Sequence, residues 1–98
     1  MIESFVNYMK AEKMSENTMR GYTNHINQML KTINKPEQDI TYLDLIDWKA
    51  GIANQASATV ANKVAAVRSY FKFLVDAGVV EVDPSKNLAT SRVRKSPV

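Results

Sequence analysis

Two stretches of this chain combine cationic side chains with small amide and hydroxyl groups and contain no acid. Residues 17–35 carry Arg20, Lys31 and Lys35 among Asn17, Thr18 and Asn24, with Gly21 in their midst. Residues 57–75 carry Lys63, Arg68 and Lys72 among Thr59, Asn62 and Ser69. Phosphate oxygens are bound by such groups, through charge and donated hydrogen bonds, and helix N-termini add free N–H groups. Nothing comparable supports bond-making chemistry. The lone histidine, His25, has no cysteine or second histidine to form a zinc site, which leaves it a surface or boundary residue or a phosphate contact. Asp44 and Asp47 stand three apart, as expected of a solvated acidic face. The only glycines are Gly21, Gly51 and Gly78, and no phosphate-cradling glycine motif is present. No Ser-His-Asp arrangement is indicated. The expectation is a binding chain with no catalytic residue, no metal, no cofactor and no small-molecule substrate.

These side chains need helices to position them. Ile2, Phe5, Val6 and Met9 recur at helical spacing and predict a first helix over residues 2–13. Ser15 or Asn17 can cap the next helix, which runs to about residue 33 with Met19, Tyr22, Ile26, Met29, Leu30 and Ile33 as its apolar stripe. Asn34 and Pro36 end it. Thr41 with Asp44 forms a capping box for a third helix over 42–53, with Leu43, Ile46 and also Leu45 and Trp48 toward the core. Residues 37–56 hold four acids against Lys49 alone, so this segment is expected to turn away from a polyanion. Ser57 reads as the cap of the fourth helix, Val60, Val64, Val67, Phe71 and Leu74 as its stripe, and Gly78 as its left-handed stop. Tyr22, Tyr70, Phe71 and Phe73 share helical spacing and belong to the core rather than to a base-stacking platform. Residues 79–82 are too short for a sheet of their own, residues 86–89 could form one more helical turn, and 90–98 carry no stripe.

Composition agrees with one small all-α domain. The 98 residues are 45% hydrophobic, with no cysteine and no run long enough to span a membrane. A cytoplasmic chain with no membrane partner is the default. The net charge of +3 is less informative than its placement. Lys86, Arg92, Arg94 and Lys95 fall in residues 86–98 with no acid, so the remaining nine basic residues meet ten acids. A nucleic-acid argument therefore rests on where the charges sit.

Four segments, taken in order, resemble the core-binding (N-terminal SAM-like) domain of tyrosine recombinases, the phage-integrase family. Ser15, Asn17, Thr18 and Tyr22 resemble its S-x-N-T-x-x-x-Y opening. Asp39-Ile40-Thr41-Tyr42-Leu43-Asp44-Leu45 resembles its D-I-T-x-x-D-[IL] segment. Ser57, Thr59 (one place early), Arg68, Tyr70, Phe71, Phe73, Leu74 and Gly78 resemble its S-x-x-T…R-x-[FY]-F-x-[FY]-L-x-x-x-G signature. Asp83-Pro84 and Asn87-Leu88 resemble N-P-x-x-N-[IL], with Asp83 in place of Asn. The resemblance implies an orthogonal bundle of four to five helices over residues 1–89. It also implies a basic linker over 90–98 leading toward a catalytic domain whose Arg, Lys, His-x-x-Arg and Tyr set has no counterpart in this chain. The partners implied are double-stranded DNA of a recombination core site, clamped on one face, and other recombinase protomers in a synaptic complex. The residues expected at the duplex are Asn17, Thr18, Arg20, Gly21, Asn24, Gln28 and Lys31 on the second helix, Thr59, Asn62, Lys63, Ala66 and Ser69 on the fourth, and Arg92, Arg94 and Lys95 in the linker. Arg68 borders the apolar stripe, so it reads either as a phosphate contact or as a semi-buried partner of an acid. The alternative is a helical protein-interaction module without DNA binding, marked by an apolar patch left exposed near Ile2, Phe5 and Met9.

Overall fold

The computed structural model describes residues 2–88 and contains four α-helices, α1 (Ile2–Ala11), α2 (Glu16–Ile33), α3 (Tyr42–Gly51) and α4 (Ser57–Asp76), with a 3-10 turn at Glu37–Asp39 before α3. No strand occurs among the described residues. The expected basic linker, with Arg92, Arg94 and Lys95, lies outside them.

Local signals explain most boundaries. Ser15 caps α2, its Oγ accepting the Thr18 N–H at 3.1 Å and donating to Thr18 Oγ1 at 2.8 Å. Thr41 and Asp44 close the capping box of α3 in both directions, at 3.2 and 3.0 Å. Asp44 is held below the ordinary carboxylate range, first by the Thr41 N–H and then by Lys35. Gly78, at φ 80°, ends α4: its N–H reaches the Val75 carbonyl and the Val79 N–H reaches that of Leu74. The same pair of bonds ends α1, from Lys13 to Lys10 and from Met14 to Met9, with Lys13 in the left-handed conformation (φ 59°). Ser57 is not the cap of α4. The first helical bond runs from the Val60 N–H to the Ala56 carbonyl, which puts Ala56 in the cap position and Ser57 inside the first turn.

The core is built on α4, which supplies seven of the sixteen buried apolar residues, namely Val60, Val64, Ala66, Val67, Tyr70, Phe71 and Leu74. Phe5 and Met9 from α1, Ile26 and Met29 from α2, and Leu45 and Trp48 from α3 complete it, with Ile40, Val80 and Leu88 from the connections. Phe5 and Met9 are fully buried, so the patch expected from an interaction module is not at α1. On α3 the core positions are Leu45 and Trp48, while Leu43 is 69% exposed. Five apolar residues between 42 and 48 leave α3 without a unique face, and packing against α2 selects one side. Ala66, expected at the outer face, is buried: it falls one turn before Tyr70, on the side of α4 that other helices cover.

One long-range polar bond ties the connection to the core. The Tyr70 hydroxyl donates to Glu37 Oε2 at 2.6 Å, and burial, reinforced by that carboxylate, pushes the phenol well above its ordinary range. Tyr70→Phe should therefore cost about 1–2 kcal/mol, read as a lower urea midpoint by Trp48 fluorescence. Lys13→Gly should gain about 1 kcal/mol by relieving its left-handed backbone.

Candidate nucleic-acid interface

α2 packs along α4, and a polar groove follows their junction. On α2 it is lined by Thr18, Gly21, His25, Gln28 and Thr32, spaced 3, 4, 3 and 4, one edge of a helix. Asn62 faces the N-terminal end of this edge, in a hollow shared with Asn17, Thr18, Gly21 and His25. Lys63 faces its middle, in a second hollow shared with His25, Gln28, Gln55 and Asp47. The Lys63 ammonium donates to Gln55 Oε1 at 2.9 Å, which ties it to the α3–α4 connection. His25 opens onto both hollows. Its pKa is lowered, first by partial burial and then by the Lys63 charge.

The residues expected to act together fall into three groups. Asn17, Thr18, Gly21, Asn62 and Lys63 meet in the groove, and half-buried Thr59 lies one turn before them on the same edge of α4. Arg20, Asn24 and Lys31 are exposed on the outward face of α2, with Gln28 between them and the groove. Arg68 lies on the far edge of α4, where it shares a hollow with Ala65, Ser69, Lys72 and Asp83. Arg68 is exposed and makes no ion pair among the described residues, so the semi-buried pairing with an acid is not formed.

Two cations of the acid-free stretches are already engaged. Lys35 reaches both carboxylate oxygens of Asp44, at 3.0 and 3.1 Å, and Lys72 lies 3.6 Å from Asp76. The expectation that the acidic segment 37–56 turns away from the basic face is corrected in part. Lys35 spends its charge on α3, and Asp47 opens onto the hollow that holds Lys63. Among the described residues no cluster of His, Cys, Asp or Glu is arranged to hold a metal, and no helix is long and apolar enough to cross a membrane.

Gly21 stands out within the groove. A Cβ built there meets no atom within 4 Å, so packing within the protein does not require a glycine. A mid-helix glycine costs about 1 kcal/mol relative to alanine. His25 was the groove residue that its type alone did not assign, although its spacing from Thr18, Gly21, Gln28 and Thr32 carried the signal. A wider hollow of about 630 Å³ lies elsewhere, between the 3-10 turn and residues 80–87, lined by residues including Glu37, Tyr42, Val82, Asp83 and Lys86.

An all-α SAM-like bundle is the class that this architecture defines. The solved integrase from mycobacterium phage Brujita has the same fold, with a TM-score of 0.84 over all of this chain and 34% of that one, at 16% identity. Residues 2–78 match the model of the phage integrase N-terminal SAM-like domain, and the chain belongs to that family. It is 29% identical over 99 residues to the tyrosine recombinase XerC of Roseiflexus castenholzii, covering 94% of this chain and 32% of that protein. It is 30% identical over 98 residues to that of Bifidobacterium longum (strain DJO10A), covering 94% and 28%. The chain thus spans about a third of the length of the curated relatives it matches.

Gly21→Ala is expected to raise the unfolding free energy by about 1 kcal/mol, measured in urea. A loss of stability would show that the glycine serves the fold.

Proposed function

We propose that this chain is a DNA-binding module of a site-specific tyrosine recombinase that clamps one face of the recombination-site duplex. It acts alongside other recombinase protomers and carries out no step of strand cleavage itself. The observation that carries this reading is the α2–α4 groove, where Asn17, Thr18, Gly21, Asn62 and Lys63 meet on one edge. Family membership supports it: the matched relatives are tyrosine recombinases.

The division of labour follows from the side-chain chemistry. Lys63 supplies charge inside the groove, and Gly21 leaves room for a phosphate to approach the helix backbone. Arg20 and Lys31 on the outer face of α2, and Arg68 with Ser69 on the far edge of α4, meet phosphates on either side. Arg92, Arg94 and Lys95 extend the contact along the linker. Phosphate contacts of this kind fix position and register, while Asn17, Asn24 and Asn62 are the groups able to read base edges.

The second reading, a protein-interaction module, has its own observation: Tyr42, Leu43 and Val82 are 42%, 69% and 75% exposed. Stable self-association without DNA binding would favour it.

Affinity for duplex DNA should fall steeply with salt, by about 0.9 in log–log slope per phosphate contact. Lys63→Ala should weaken binding several-fold and flatten the slope by about that amount. Lys35→Ala, whose ammonium is already held by Asp44, should change neither. Fluorescence anisotropy over a salt series measures both, and equal losses from the two variants would contradict the groove as the site.

A further inference from the structure

The histidine in the groove has a geometry that the binding reading does not by itself use. His25 lies at the join of the two hollows, with Asn62 facing it from one and Lys63 from the other. We propose that His25 is a DNA-contacting residue that takes up a proton when a duplex phosphate enters the groove, so that binding is coupled to protonation. This inference rests on the DNA-binding reading and adds a proton to it.

Groups from three elements face His25. On α4 they are Lys63, a cation, and Asn62, which is uncharged. On α3 and its following connection they are Asp47, the one carboxylate lining either hollow, and Gln55. On α2 itself, Thr18, Gly21, Gln28 and Thr32 share its edge, and the Tyr22 phenol lines the hollow with Asn62; none of them is charged near neutral pH. Partial burial, and then the Lys63 ammonium, lower the His25 pKa in the free protein. A phosphate arriving between His25 and Lys63 changes the balance. It offsets the Lys63 repulsion, and it accepts a hydrogen bond from the imidazolium. No covalent bond changes: a proton moves from solvent or buffer to an imidazole nitrogen, and the imidazolium then pairs with a phosphate oxygen.

The sign follows from linkage. Binding raises the His25 pKa, so the complex holds more protons than its separated parts, and affinity rises as pH falls. The gain is at most about tenfold per pH unit, between the bound and the free pKa. Outside that window the coupling disappears. Salt-dependent contacts at Lys63, Arg20 and Arg68 persist at every pH in the range.

The test uses the full 98-residue chain and a duplex in excess of the groove length. Calorimetric titration at pH 6, in buffers of different ionisation heat, reads proton uptake directly. The expected result is an uptake of a substantial fraction of one proton that His25→Gln abolishes. The same variant should bind equally at pH 7.5 and pH 6, losing the several-fold tightening that the parent shows over that range. Absence of uptake in the parent, or the same uptake in His25→Gln, would overturn the inference while leaving the DNA-binding reading standing. Loss of all duplex binding by the parent at low salt would instead remove the reading on which it rests.

Discussion

The burial of α4 is the constraint on which the rest of the structure depends. Val60, Val64, Ala66, Val67, Tyr70, Phe71 and Leu74 are covered by other parts of the fold, and together they occupy about half of the helix circumference. What remains outward is a strip of Ala58, Asn62, Ala65, Arg68, Ser69 and Lys72. Such a strip cannot hold a large apolar side chain without exposing it, and it holds none. The edge of that strip nearest α2 becomes one wall of the groove, and its far edge carries Arg68. The same packing that stabilises the bundle therefore decides which polar groups are brought together and which are separated.

The charges illustrate how placement outweighs composition. Six cations occupy the acid-free stretches, yet Lys35 and Lys72 are neutralised by Asp44 and Asp76. Lys63 is aimed by its bond to Gln55 and set against His25. An exposed ion pair such as Lys72–Asp76 contributes little stability, but it still removes a cation from the set able to meet a phosphate. Gly21 is the converse case: it gives up helix stability at a position where the protein makes no use of the space.

The parts of this fold that were legible in the sequence are those set by a few neighbouring residues. Ser15, the Thr41–Asp44 capping box and Gly78 each act over one turn, and the stripe from Val60 to Leu74 repeats often enough to define a face. The parts that were not legible depend on distant partners. Leu43 and Leu45 are equally apolar, and only packing against the rest of the bundle selects Leu45. Ala66 is small enough to suit either environment. Ser57 has the chemistry of a cap, but the chain bends one residue earlier. The Lys35–Asp44 bridge joins residues on either side of the 3-10 turn, where pattern alone gives no register. The groove edge was present as spacing, at Thr18, Gly21, His25, Gln28 and Thr32, although none of those residue types announces it singly.

The central claim is that a duplex lies along the α2–α4 groove. It is tested most directly by following the backbone amide resonances of the isotopically labelled chain while a duplex is added at low salt. The largest shifts are expected at Thr18, Gly21, His25, Asn62 and Lys63, with smaller ones at Arg68 and Ser69. Shifts concentrated around Tyr42, Leu43 and Val82, with the groove unperturbed, would contradict it.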